Sequence, residues 1–125
     1  MKSNTRKPYC AGTWYSSNAA ELRKELQKYL DNTGAISNKS VKAIIVPHAG
    51  YKYSGQVAAY AFRSVPESIK EVIILGTAHH HSLKGVAASG FDYFETPLGK
   101  IPVSKININF IKEKNISVVP EADIN

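Results

Sequence analysis

A chain of 125 residues is long enough for one domain with its own core, since domains of this size bury roughly 65–70 % of the surface an unfolded chain exposes. Its 43 % hydrophobic and 21 % charged residues are ordinary for a globular protein. The formal charge of +6 comes from lysines scattered from Lys2 to Lys114, several of them among acids on expected helix faces, which reads as solvated surface and leaves no nucleic-acid partner expected.

A single cysteine, Cys10, excludes an internal disulfide, and the polar, basic run Met1–Lys7 has no apolar stretch behind it to make a secretory leader. Apolar runs such as Val72–Leu75 fall far short of the roughly 20 residues a membrane span requires. No membrane segment and a cytoplasmic, reducing setting are expected.

The first predicted element is a helix. Asn18-Ala-Ala-Glu21 has the form of an N-cap followed three residues on by a carboxylate, and Leu22, Leu26, Tyr29 and Leu30 then recur at helical spacing. Asp31-Asn32-Thr33-Gly34 stops it, and Ser37–Ser40 reads as a surface loop. Val41–Val46, apolar except at Lys42, has the length and β-branched content of a buried strand ended by Pro47. Beyond a tight Ala49-Gly50-Tyr51 segment, Ala58, Ala61, Phe62 and Val65 predict a second helix closed by Pro66, and Val72–Leu75 a second buried strand closed by Gly76. Near-continuous apolar strands around a helix indicate a parallel crossover in a sheet covered on both faces, hence an α/β fold. Further on, Gly85–Ser89, Ile101–Val103 and Ile116–Val119 are candidate short strands. Ser104–Lys114 is a candidate helix using Ile106, Phe110 and Ile111.

Histidines supply the candidate chemistry. His48 follows the first apolar strand directly, while His79, His80 and His81 follow the second after Gly76-Thr77-Ala78. Both loops would leave the carboxyl ends of parallel neighbours, the edge at which open α/β sheets bind ligands. Neutral imidazole ligates zinc, copper and iron, so histidines from two such loops make a partial metal shell. A lone histidine at a strand end is more often a hydrogen-bonded structural residue. If the second loop is extended, His79 and His81 face one side and His80 the other, and position alone does not choose among them. A facial arrangement of two histidines and one acid needs a third donor. Asp92, Glu95, Asp123 and Cys10 are the available residues, with Asp92 and Glu95 reading equally well as loop polar groups and Cys10 as a small packed side chain. Tyr51 and Tyr53 either line a pocket or pack beneath the loop, and Gly50 and Gly55 fit a turn and close packing at a helix start. The chain has no Cys-x-x-Cys, phosphate-binding glycine loop or Gly-x-Ser-x-Gly turn.

Four motifs in order, Ala11-Gly12-Thr13-Trp14-Tyr15, Pro47-His48-Ala49-Gly50-Tyr51-Lys52-Tyr53-Ser54-Gly55, Leu75-Gly76-Thr77-Ala78-His79-His80 and Glu95-Thr96-Pro97-Leu98-Gly99, resemble the Memo family. The second motif is the most specific. The third departs from the family's usual Leu-Gly-Pro-Ser-His-His by carrying Thr77-Ala78 and adding His81. The resemblance implies a fold like that of the LigB-type class III extradiol dioxygenases, with a mostly parallel central sheet and flanking helices. It also implies iron(II) or copper held by His48 and His79, His80 beside them as a catalytic residue, and Tyr51, Tyr53 and His81 in the substrate pocket. Residues 1–125 would then be the amino-terminal half of a single Memo-like domain, an incomplete sheet whose third metal ligand lies outside this chain. The function implied is metal-dependent redox chemistry of dioxygenase type on a small molecule. A non-catalytic module binding phosphorylated peptides, aided by Lys52 and Arg63, and an inactive half-pocket are the alternatives.

Overall fold

The computed structural model describes residues 4–35, 41–79, 86–113 and 118–120. It is a mixed α/β structure that divides into two compact units, Pro8–Ile73 and Met1–Lys7 with Ile74–Asn125.

The Pro8–Ile73 unit is built on two helices, α1 (Ala19–Asp31) and α2 (Tyr51–Arg63). Helix α1 begins where the sequence places it. Asn18 is extended (φ −82°, ψ 121°), and its Oδ1 accepts from the amides of Ala20 and Glu21 at 2.9 and 3.1 Å, satisfying two of the four donors that a helix start leaves open. The Glu21 carboxylate accepts from Ser16 Oγ at 2.8 Å, and its place in the first turn, like that of Lys28 in the last, suits the helix dipole. Helix α2 starts seven residues earlier than the Ala58 periodicity predicts. Gly50 is its N-cap, and Ser54, buried, donates from Oγ to Ala49 O at 3.0 Å across the first turn. Thus Tyr51 and Tyr53 are helical.

Leu22 and Ala59 are the buried apolar residues of this helix pair, 3 % and 5 % exposed. The close approach is made at Gly55, where an added Cβ would lie 2.7 Å from Tyr29 Cε2. Gln56 Nε2 donates to Tyr29 O at 3.0 Å and ties the same crossing.

The two central buried strands expected at Val41–Val46 and Val72–Leu75 are not formed. Neither segment has a strand neighbour among the described residues, and Ile45 and Leu75 stand 98 % and 87 % exposed. A buried parallel strand needs flanking strands for its N–H and C=O groups and cover on both faces, and here neither is supplied. The crossover drawn from these segments is likewise absent from the described residues.

The other unit contains the sheets. Strands β1 (Thr5–Arg6), β3 (Tyr93–Thr96) and β4 (Gly99–Pro102) form a mixed sheet in the order β1-β3-β4, with β1 parallel to β3 and β3 antiparallel to β4. Strands β2 (Val86–Ala88) and β5 (Val118–Pro120) pair in parallel. Helix α3 (Lys105–Glu113) lies between β4 and β5 in the chain, and its Ile106 and Phe110, expected on a packed face, are exposed. The short late elements therefore form close to their predicted positions, whereas the two with the strongest apolar signal do not. Among the described residues, no helix is long and apolar enough to cross a membrane.

Candidate functional site

His48 belongs to the Pro8–Ile73 unit and is exposed at the end of the apolar 41–46 segment, two residues before the cap of α2. The backbone beyond it is held from three directions. Tyr51 N donates to Trp14 O at 2.9 Å, Ser54 Oγ donates to Ala49 O at 3.0 Å, and the Tyr51 ring packs on Tyr15 with centroids 5.4 Å apart. An added Cβ on Gly50 would meet Trp14 O at 3.3 Å, so this approach favours a residue without a side chain.

The Ala11–Tyr15 motif is therefore the support of the His48 motif. It is a compact turn in which the amides of Thr13 and Trp14 donate to Cys10 O at 3.2 and 2.9 Å and Gly12 N donates to Tyr15 O at 2.8 Å. Gly12 sits at φ +86°, a conformation that suits glycine. The sequence offers Gly50 as a turn glycine but cannot show that the turn carrying Trp14 packs against it.

Tyr51 and Tyr53 diverge. Tyr51 is half-buried, its carbonyl accepts from Tyr29 OH at 3.2 Å, and burial, reinforced by the negative charge of Glu25, raises its phenol above the usual range. Tyr53 is 81 % exposed, with Lys52 Nζ 5.9 Å from its ring centroid. Tyr29, which donates to Glu25 Oε1 at 2.9 Å, is raised by burial and by that hydrogen bond.

His79 lies in the other unit, exposed, at the end of the 72–75 segment and its Gly76-Thr77-Ala78 extension. His80, His81 and Asp123 fall outside the described residues. The acids weighed as third ligands are engaged elsewhere. Glu95 lies within β3, and its Oε2 accepts from Lys7 Nζ at 2.6 Å, which lowers its pKa. Asp92 accepts from Asn4 N at 3.0 Å and pairs with Lys105 Nζ at 3.3 Å; the Asn4 hydrogen bond first, then Lys105, lowers its pKa. Both acids hold the β1-β3-β4 sheet together. The Glu95–Gly99 motif is a hairpin: Thr96 Oγ1 donates to Gly99 O at 3.0 Å and accepts from Leu98 N at 3.1 Å, and Gly99 takes φ +139°. Among the described residues, no three His, Cys, Asp or Glu side chains converge as a metal-holding group.

The family model for Memo-like protein matches residues 6–123 of this sequence, nearly its whole length. The chain belongs to the Memo family. It is similar to the memo-1 homologue of Caenorhabditis elegans, 38 % identical over 122 residues that cover 96 % of this chain and 35 % of that protein. It is also similar to the MEMO1 family protein MHO1 of Saccharomyces cerevisiae, 41 % identical over 99 residues (74 % of this chain, 29 % of that protein), and to human MEMO1, 39 % identical over 89 residues (70 % and 30 %). The chain thus spans about a third of the length of these curated relatives, a smaller share than the half implied by the order of its motifs.

Proposed function

We propose that His48 and His79 each act as a metal donor for redox chemistry of the dioxygenase type, with iron(II) or copper as the metal. The observation that carries the proposal is the bracing of the His48 loop by Trp14, Tyr15 and Ser54. Backbone fixed from three sides restricts the imidazole's positions before a ligand arrives, which is the preorganisation that ligand shells require.

The donor chemistry fits: two neutral imidazoles suit iron and copper, and Asp92 and Glu95, two of the residues weighed as a third donor, are committed to sheet contacts. A bound metal would supply the redox centre. His48 and His79 serve as its donors, and His80, next in sequence to a ligand, moves protons at the site. Tyr51, with its raised pKa, stays protonated at neutral pH and acts as a hydrogen-bond donor rather than a base. Tyr53 and His81 contact the substrate.

The test is anaerobic titration of the chain with ferrous iron and with cuprous copper, alongside His48→Ala and His79→Ala, after circular dichroism confirms that each protein is folded. Binding that is lost in both variants supports the proposal. Binding of equal strength in wild type and both variants overturns it, as does failure of either metal to bind a folded chimaera in which this chain replaces the matched stretch of the C. elegans relative.

A further inference from the structure

We infer that Tyr29 is a positioning residue for the His48 loop, acting from helix α1 through Tyr51, the first residue of α2. The bracing stands on geometry within the Pro8–Ile73 unit, whereas its effect on a metal rests on the donor role proposed for His48.

Trp14, Tyr15 and Ser54 hold the loop through the Tyr51 amide, the Tyr51 ring and the Ala49 carbonyl. The Tyr51 carbonyl is reached from α1. The half-buried Tyr29 donates to it from its hydroxyl at 3.2 Å, a contact across 22 residues of sequence. Tyr29 is itself fixed against α2. Its carbonyl is among the acceptors that a helix end leaves open, and Gln56 Nε2 donates to it at 3.0 Å, while Gln56 Oε1 accepts from Asn32 Nδ2 at 3.2 Å. Its ring lies so close to Gly55 that an added Cβ would come within 2.7 Å. The last turns of α1 therefore grip α2 at Tyr51, Gly55 and Gln56, directly beyond the histidine.

A phenol hydroxyl carries one proton, and two acceptors compete for this one. Glu25 Oε1 stands at 2.9 Å and, as a carboxylate, is the stronger acceptor; the Tyr51 carbonyl holds the longer branch. Glu25 thus restrains the contact with Tyr51, and removing it hands the proton wholly to that carbonyl. Loss of the hydroxyl and loss of the carboxylate should then act on the loop in different directions, which a mere loosening of the two helices would not produce.

The experiment is site-resolved amide exchange on the full chain by nuclear magnetic resonance. It reads the Tyr51 amide, bonded to Trp14 O, against the Leu22 amide, bonded to Asn18 O at the start of α1. Tyr29→Phe keeps the ring on Gly55 and removes only the hydroxyl. It should quicken exchange at Tyr51 by about two- to tenfold, the factor that one net hydrogen bond represents, and leave Leu22 unchanged. Glu25→Ala should not quicken Tyr51. Anaerobic ferrous iron should bind Tyr29→Phe more weakly than wild type, and the same substitution should have no further effect on iron binding in a His48→Ala background. Unchanged exchange at Tyr51 in Tyr29→Phe overturns the inference. So does an equal quickening at Leu22, or a Glu25→Ala protein whose Tyr51 exchange quickens as much as that of Tyr29→Phe. A loss of iron affinity that is the same with and without His48 overturns it as well. A folded wild type that binds no iron counts against the donor role of His48 alone, and the exchange at Tyr51 then decides the positioning.

Discussion

Replacing Gly55 with alanine should destabilise the α1–α2 pair, although alanine is the better helix former by about 0.8–1.0 kcal/mol in a helix interior. The new methyl group would sit 2.7 Å from Tyr29 Cε2 and 3.1 Å from Cδ2 and Cζ. The ring cannot simply swing aside, because its hydroxyl is shared between Glu25 Oε1 at 2.9 Å and Tyr51 O at 3.2 Å, and its own backbone carbonyl accepts from Gln56. Overpacking of this kind costs about 1–3 kcal/mol, and a lost or stretched hydrogen bond adds about 0.5–1.5 kcal/mol. Subtracting the helix-propensity gain leaves a net loss of about 0.5–4 kcal/mol, centred near 2. Urea denaturation followed by circular dichroism measures it, with Gly90→Ala as the control: nothing lies within 4 Å of a Cβ there, and the change should stay within about 0.5 kcal/mol. A Gly55→Ala protein as stable as wild type, or more so, would refute the close packing assigned to this crossing. The same substitution disturbs the hydroxyl that reaches the Tyr51 carbonyl, so it should also loosen the backbone that follows His48.

Asn18→Ala removes the acceptor for two α1 amides and should cost about 1 kcal/mol by the same denaturation assay, with the loss of helicity confined to α1. Glu95, lowered by its Lys7 hydrogen bond, stabilises the β1–β3 pair above the ordinary carboxylate range; that contribution is lost as pH falls through the lowered value. The protection factor of the Tyr93 amide, which donates to Asn4 O, should therefore fall in acid once the intrinsic slowing of exchange is divided out, and Glu95→Gln should flatten that pH dependence. For Tyr51 the sign is opposite: a raised phenol stabilises the fold below the ordinary value near 10 and ceases to do so as pH rises through the raised one. Ultraviolet titration should find Tyr51 ionising above the ordinary phenol range, and Glu25→Gln should bring it part of the way back.

Local chemistry made some elements legible and non-local chemistry hid others. Helix α1 could be read because Asn18, Glu21 and the Leu22-Leu26-Tyr29-Leu30 spacing act within a few residues of one another, whereas β3 falls in a stretch whose Asp92 and Glu95 read equally well as loop polar groups. The start of α2 was missed because its first turn is secured by Ser54 reaching Ala49 and by Trp14 accepting from Tyr51, the latter a contact across 37 residues. Val41–Val46 and Val72–Leu75 carry the composition of buried strands, and that composition is a demand for partners rather than a guarantee of them. Among the described residues the demand is unmet, and Ile45 and Val72 to Leu75 lie on the surface.

The motif that bears His48 is itself mostly scaffold. Gly50 admits the Trp14 carbonyl, Tyr51 fixes its amide to that carbonyl and its ring to Tyr15, Ser54 closes the helix turn and Gly55 admits Tyr29. Of the nine residues from Pro47 to Gly55, only His48, Lys52 and Tyr53 offer polar side-chain atoms in positions classed as exposed. The loop's neighbouring residues are thus committed to holding the backbone around His48, whose side chain is exposed. If His48 is the metal donor proposed above, fixed neighbouring backbone would lower the entropy cost of ligation. Tyr15→Ala, which removes the ring on which Tyr51 packs, should therefore weaken the metal binding proposed for His48 while leaving the β1-β3-β4 sheet, in the other unit, with unchanged amide protection. Equal loss of protection in both units would mean that the turn supports the whole chain rather than the loop.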